Sequence, residues 1–341
     1  MTIHEYEIKV MSYVLKFVDR EGEIKALRKL IETGSPLAEF TYGPEGCGKS
    51  TLLRYIAATL RDNYIIMYVD ALEQQPGRVL EGVKLPEEEI TEIAASIGGP
   101  IGAAVAGAIT KLLEKLCTEV KFRDKYLAIL VDDPIRAIGI NGCEAYVKWL
   151  YELIYKISRE FEPKTVLILA TSSEGISRRI PLRHSYVHIT LIWNLPYEGL
   201  VELVNQLPEP RPEPEKVWKL TGGNPRAVID LALRHRWNVD HWIKELKYKL
   251  TEIIMEIKYR GLGKQLREVI ENPDTLWYNV SEELRTLLKI LEEQNLIIYK
   301  HHTTLTQREV PEDQEIGVGK YYAWQIPAYR QALEQLLREL T

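Results

Sequence analysis

The sequence predicts an α/β protein. A five-stranded parallel sheet with helices on both faces is followed by a small helical unit and a closing module of helices and two strands. Three observations predict this. Five near-continuous apolar runs, at residues 37–42, 64–70, 126–132, 165–171 and 187–193, alternate with helical segments, as strands buried on both faces do. Four prolines in LPEPRPEPE, residues 207–215, remove backbone donors and mark a stiff connector. Beyond them the pattern changes to helix, strand, polar stretch, strand and helix. A length of 341 residues fits two or three domains. Apolar residues at 45% and charged residues at 27% supply a core and exclude a disordered or fibrous chain.

Each element follows from its own residues. In residues 23–33, Ile24, Leu27, Leu30 and Ile31 share one helical face, and Gly34 stops the helix. The run 37–42 enters a glycine-rich turn, after which residues 51–60 resume helical spacing. Residues 93–110 carry no charge over eighteen positions, at the lower edge of spanning length, but they are mostly Ala and Gly with Pro100 inside. Such residues gain little on transfer to lipid, so a tightly packed helical insertion is expected and no membrane span. A helix is expected over 145–161. Past the prolines, short helices at 215–220 and 225–234 flank TGGNP, and a long helix covers 240–259, the outline of a small helical lid. Helix 281–294, strand 296–299, a polar wing, strand 321–325 and helix 329–340 outline a winged-helix-like domain. The expected boundaries are 1–207, 208–275 and 276–341.

Charge and cysteine usage narrow the function. Forty-four basic against 49 acidic residues give a net charge of −5, which is no overall footprint for nucleic acid. The terminal module, 276–341, holds seven basic and ten acidic residues. Residues 241–270 hold seven basic and four acidic, with Lys247, Lys249, Lys258, Arg260, Lys264 and Arg267 as a modest basic face. A protein partner for the terminal module is therefore expected over nucleic acid. The three cysteines, Cys47, Cys117 and Cys143, form no CxxC or Cys/His pattern, and the N-terminus lacks a signal-peptide profile. A reducing, cytoplasmic setting is expected. His184 with His188, and His301 with His302, lack carboxylate or cysteine companions at metal-binding spacing, and no residue pattern fixes an oligomeric state.

The chemistry concentrates in GPEGCGKS, residues 43–50, which fits G-x-x-x-x-G-K-[ST] between a strand and a helix. Backbone N–H groups of Gly43, Pro44, Glu45, Gly46, Cys47 and Gly48 (Pro44 excepted, which has none) curl around phosphates, helped by the positive helix end. Lys49 is expected at the β and γ phosphates, and Ser50 at Mg²⁺ with Thr51 beside it. Asp132 and Asp133 end the central strand YLAILVD at the sheet edge where ligands of such sheets bind. Asp132 is the candidate for the Mg²⁺ shell, and Asp133 for polarising the attacking water. Asp133 is a methylene shorter than glutamate and is followed by Pro134, so slow hydrolysis is expected. Asp70, Ser172 and Ser173 end neighbouring strands and are each as well explained as loop polar groups as by contact with water or γ-phosphate. Arg178, Arg179 and Arg183 could supply a guanidinium, although a solvated basic helix end explains any one of them slightly better. Arg226 opens a helix, where a cation is disfavoured unless an anion compensates.

Taken in order, FVDRE at 17–21, EIKALRKL, GPEGCGKSTLLRYIA, LVDD, LILATSS and TGGNPRAVIDLA resemble the archaeal ATPase family. That family lies in the STAND-related branch of AAA+-like P-loop ATPases. The resemblance covers about residues 17–233 and implies a P-loop NTPase core that binds ATP rather than GTP. It carries Val18 and Arg20 over as base-side contacts, and Gly223 to Pro225 as the nucleotide sensor of the lid. It further implies a Mg²⁺-dependent ATPase acting as a nucleotide-dependent switch, cycling between ATP and ADP. Archaeal origin-recognition initiators, in which ATP licenses DNA contact, are the runner-up resemblance.

Overall fold

The computed structural model describes residues 6–60, 63–71, 122–135, 142–172 and 185–339, together with Gly107 and Leu113. The charge-free stretch 93–110 lies outside them except for Gly107, as do Cys117, Ser173, Arg178, Arg179, Arg183 and His184. The chain opens with β1 (Glu7–Val10) and β2 (Tyr13–Lys16), an antiparallel hairpin. It was not expected from the sequence, because two exposed four-residue strands carry almost no alternation; Leu15 alone is buried.

The central layer is built from α1 (Glu21–Thr33), β3 (Ala38–Tyr42), α2 (Lys49–Thr59), β4 (Tyr64–Asp70), β5 (Tyr126–Asp132), α3 (Cys143–Glu160), β6 (Thr165–Ser172) and β7 (Val187–Leu191). All five expected strands lie in one parallel sheet of order β4-β5-β6-β3-β7. The apolar runs look continuous because both faces are covered. On β5, Leu127, Ile129 and Val131 pack with α3 residues Val147, Leu150 and Ile157. Ala128 and Leu130 point the other way, to Leu27 and Ile31 of α1 and Leu52 and Ile56 of α2. The order reverses around β3, which lies between β6 and β7, so the loops after β3, β5 and β6 open side by side at one edge.

After the sheet come α4 (Tyr197–Asn205), α5 (Pro214–Thr221) and α6 (Pro225–Ile229), the last continuing into a π-helical turn at Asp230–Arg234. These helices share a core with Leu15 and Val18 from the N-terminal segment, through Leu200, Leu203, Val217 and Val228. By packing, α4 groups with helices beyond the prolines. The rest is α7 (Val239–Tyr259), α8 (Gly263–Glu271), α9 (Thr275–Tyr278), α10 (Glu282–Glu293), β8 (Ile297–Tyr299), β9 (Tyr322–Trp324) and α11 (Pro327–Glu339). One core unites them, with Leu250, Ile254, Leu266, Leu287, Trp324 and Leu333 fully or nearly fully buried. The helices that precede the helix–strand–wing–strand outline are thus α7, α8 and the short α9. Across β8 and β9 the wing returns to the sheet, where Leu191 of β7 bridges Thr304 in parallel. No helix among the described residues is long and apolar enough to cross a membrane.

Candidate nucleotide site

The glycine-rich loop leaves β3 at Tyr42 and turns into α2 at Lys49. Gly48 caps the helix in the left-handed region, at φ 102°, and Gly46 is left-handed too, at φ 81°. Those two torsions, which L side chains resist, curl the loop around the helix N-terminus. Lys49 is buried, and its Nζ donates to the carbonyls of Gly43 and Pro44 at 3.0 Å each. Its charge is therefore held inside the loop. Ser50 and Thr51 occupy the first turn of α2, with Ser50 partly buried.

Strand register sets the neighbours. Tyr42 is opposite Ser172 and Val131 opposite Ala170, so β6 places Ser172 and Thr171 between the loop and Asp132. Asp132 is 3% exposed. Its Oδ1 accepts from the Thr171 hydroxyl at 2.6 Å and its Oδ2 from the Tyr68 hydroxyl at 2.8 Å. Burial, then Asp132 beside it, raises the Tyr68 phenol well above its ordinary range, so it stays a donor at working pH. Arg54 closes the network, donating to Tyr68 at 3.0 Å and to Asp70 at 2.9 Å. Asp70, an open candidate from sequence, is thus ion-paired with Arg54. The N–H of Asp133 donates to Thr171 Oγ1 at 2.9 Å, with Asp133 itself left-handed at φ 45°.

The oxygen-only set of Ser50 and Asp132 suits a hard cation such as Mg²⁺. Asp132 accepts from Thr171 at one carboxylate oxygen and from Tyr68 at the other, and each oxygen has a further lone pair to offer such an ion.

Arg20 is buried, and its guanidinium donates to the Cys47 carbonyl at 2.7 Å, the Trp193 carbonyl at 2.8 Å and Glu23 at 2.7 Å. It braces the loop from below. Val18 is buried with Leu195 and Leu200. Beside them, Asp19 and Arg20 line a cleft of about 390 Å³ walled by Trp193, Trp218 and wing residues including Thr306 and Val310.

Two further parts of the chain grip the loop. Asn224 caps α6 by accepting from Ala227 N at 3.1 Å, while its Nδ2 donates to the Glu45 carbonyl and to Asn194 Oδ1, both at 2.9 Å. Arg226 pairs with Glu45 at 2.7 Å, and its N–H donates to the Gly46 carbonyl at 3.3 Å. Pro225 is the first residue of α6. From the closing module, Gln325 Oε1 accepts the Glu45 N–H at 2.8 Å, and the Gln325 carbonyl accepts from Asn194 at 3.2 Å. Lys49, Asp132, Asp133 and Ser172 thus converge on one sheet edge, with Arg226 at the loop's rim. Sequence reasoning missed Tyr68, Thr171, Asn194 and Gln325. The first two had a signal, being polar groups inside apolar strands; Gln325, 280 positions from Glu45, had none. His188 also differs from expectation. It does have a carboxylate companion, Glu39 at 2.7 Å, because the two are cross-strand neighbours.

Strand, glycine-rich loop, capped helix and buried strand-end aspartate define a P-loop nucleotide-binding core. Residues 17–231 match the family of ATPase domains found predominantly in Archaea, and the chain belongs to that family. It is similar to an uncharacterized ATP-binding protein of Pyrococcus abyssi, 25% identical over 79% of this chain and 87% of that one. An uncharacterized ATP-binding protein of Pyrococcus horikoshii is also 25% identical, over 83% of this chain and 92% of its own length. Among solved structures, the ORC2 protein of Aeropyrum pernix, in its ADPNP–ADP complexes, aligns over 98% of this chain and 96% of its own. Its identity is 15% and its TM-score 0.46.

Proposed function

We propose that the chain binds ATP with Mg²⁺ in the loop 43–50, hydrolyses it slowly, and acts as a nucleotide-dependent switch. One observation carries the switch reading: both hydrogen-bonding ends of Glu45, within the phosphate loop, are held by elements beyond the proline connector. Gln325 takes its N–H and Asn224 its carbonyl. A phosphate drawing on the loop's N–H groups acts on the same backbone that positions the lid and closing module.

In this reading Lys49 moves from its carbonyl partners to the phosphates, and Ser50 and Asp132 hold Mg²⁺, which offsets phosphate charge when bound. Asp133 orients the attacking water, Ser172 hydrogen-bonds it or the γ-phosphate, and Arg226 exchanges Glu45 for phosphate oxygen. Gly43, Gly46, Cys47 and Gly48 frame the phosphates with Thr51 at their rim, and the base takes the cleft beside Arg20. The terminal module, at −3 charge, engages a protein partner rather than nucleic acid.

ATP turnover and amide exchange test this together. Lys49→Ala loses a charge-assisted bond and is expected to weaken ATP binding about 10- to 100-fold and abolish turnover. ATP is expected to change exchange protection across residues 322–326 in the parent chain but not in Gln325→Ala. Tight ATP binding without turnover removes the hydrolysis half; unchanged exchange in the parent removes the switch. Micromolar DNA binding with a steep salt slope favours the initiator-like alternative.

A further inference from the structure

Away from the nucleotide site, the π-helical turn after α6 and the first turns of α7 bring two histidines and a glutamate together. His235, His241 and Glu245 each offer one ligand atom, and these atoms lie within 4.8 Å of one another. His241 and Glu245 are four apart on α7, so they share a face. His235 comes from the preceding segment, where its N–H donates to the Asp230 carbonyl five residues back, at 3.2 Å. Left-handed Arg236 and Trp237, at φ 49° and 62°, then fold the chain so that His235 meets His241, their Nδ1 atoms 3.0 Å apart.

A second observation points to a ligand. The His235 side chain is 1% exposed, and its Nε2 is buried without a hydrogen-bond partner. That nitrogen is aimed at two carboxylates, lying 3.7 Å from Asp230 Oδ2 and 3.7 Å from Glu245 Oε2. A buried, unpartnered ring nitrogen is costly. Ligands bound about 2.1 Å from a tetrahedral ion lie about 3.4 Å apart. The 3.7 Å from His235 Nε2 to Glu245 Oε2 is close to that edge.

We propose that His235, His241 and Glu245 form a binding site for a divalent transition-metal ion of the zinc class, with Asp230 as adjacent carboxylate. Two imidazoles and a carboxylate are a borderline donor set that selects Zn²⁺ or Co²⁺ over Mg²⁺. The Trp242 indole donates to Asp230 Oδ2 at 2.9 Å, which orients that carboxylate. Arg234, paired with Glu245 Oε2 at 2.8 Å and half exposed, is the group an ion displaces. The site joins the end of the helix that grips the loop 43–50 to the long helix α7. A bound ion cross-links the two.

The test is Co²⁺ titration of the full, untagged chain without nucleotide, read by the visible absorption of tetrahedral Co²⁺, followed by displacement with Zn²⁺. One equivalent is expected to bind. His241→Ala and Glu245→Gln, neither of them fully buried, are expected to weaken Co²⁺ binding at least ~10-fold while their melting temperatures without metal stay near the parent's. Lys49→Ala is expected to bind like the parent. Zn²⁺ is expected to raise the melting temperature of the parent but not of His241→Ala. Absence of the tetrahedral spectrum, or binding unchanged in both site variants, overturns the proposal.

Discussion

Asp19 shows how a single side chain can act against the fold that holds it. It sits at φ 45° between the N-terminal segment and α4, where a Cβ on Gly199 would come within 2.7 Å of the Asp19 Cβ. Burial first, opposed by Arg20, raises its carboxyl above the ordinary range. The folded chain therefore holds that proton more tightly than the unfolded chain, and stability from this group falls as pH rises through the folded value. Asparagine removes the charge and also tolerates the left-handed region. Asp19→Asn is expected to melt above the parent at about pH 7 and level with it at about pH 3, where both states are protonated. A melting difference independent of pH counts against the argument. At this scale the sequence was most readable where function is local. Residues 43–50 announce themselves because the whole glycine-rich pattern lies in one loop. The partners of Asp132 were harder to read, since Tyr68 and Thr171 look like ordinary strand residues until register places them beside it.

Among elements, α6 matters most to the site, because it presents both Asn224 and Arg226 to the loop. The fit is close enough to need a glycine opposite. A Cβ on Gly46 would lie 2.5 Å from Arg226 Cβ and 3.0 Å from Asn224 Oδ1, at a left-handed φ. Gly46→Ala is expected to cost about 1–2 kcal/mol from the torsion alone. It also separates loop from lid, so weaker ATP binding should accompany a lower melting temperature. Binding that survives unchanged would show that the contact plays no part in holding nucleotide. The strands of the core were legible as apolar runs and their helices as amphipathic spacing. The β1–β2 hairpin was not, having only one buried side chain to shape its pattern. Nor was the pairing of α7 with α11, which depends on faces meeting across some eighty residues of chain. The six basic candidates of residues 241–270 also read differently in three dimensions. Lys247 pairs with Glu339, Arg260 with Glu256, and Lys264 with Glu268, which dilutes the cationic face.

For the molecule as a whole, the parallel sheet has a β7 edge that, among the described residues, segment 303–305 closes. At β7, Leu191 donates to the Thr303 carbonyl at 2.9 Å and accepts from the Leu305 N–H at 3.0 Å. Segment 303–305 is in effect a brief sixth partner for the sheet, arriving more than a hundred residues after the strand it covers. During synthesis, the β7 edge waits with open donors and acceptors until that segment emerges, a template for pairing with another nascent chain. Leu305→Pro removes the donor and is expected to give concentration-dependent self-association by light scattering, with helical content retained. A monodisperse variant would mean the edge is protected in some other way. The wing thus doubles as a guard against edge-to-edge assembly, and the interval between the synthesis of β7 and that of the wing is the period of greatest exposure.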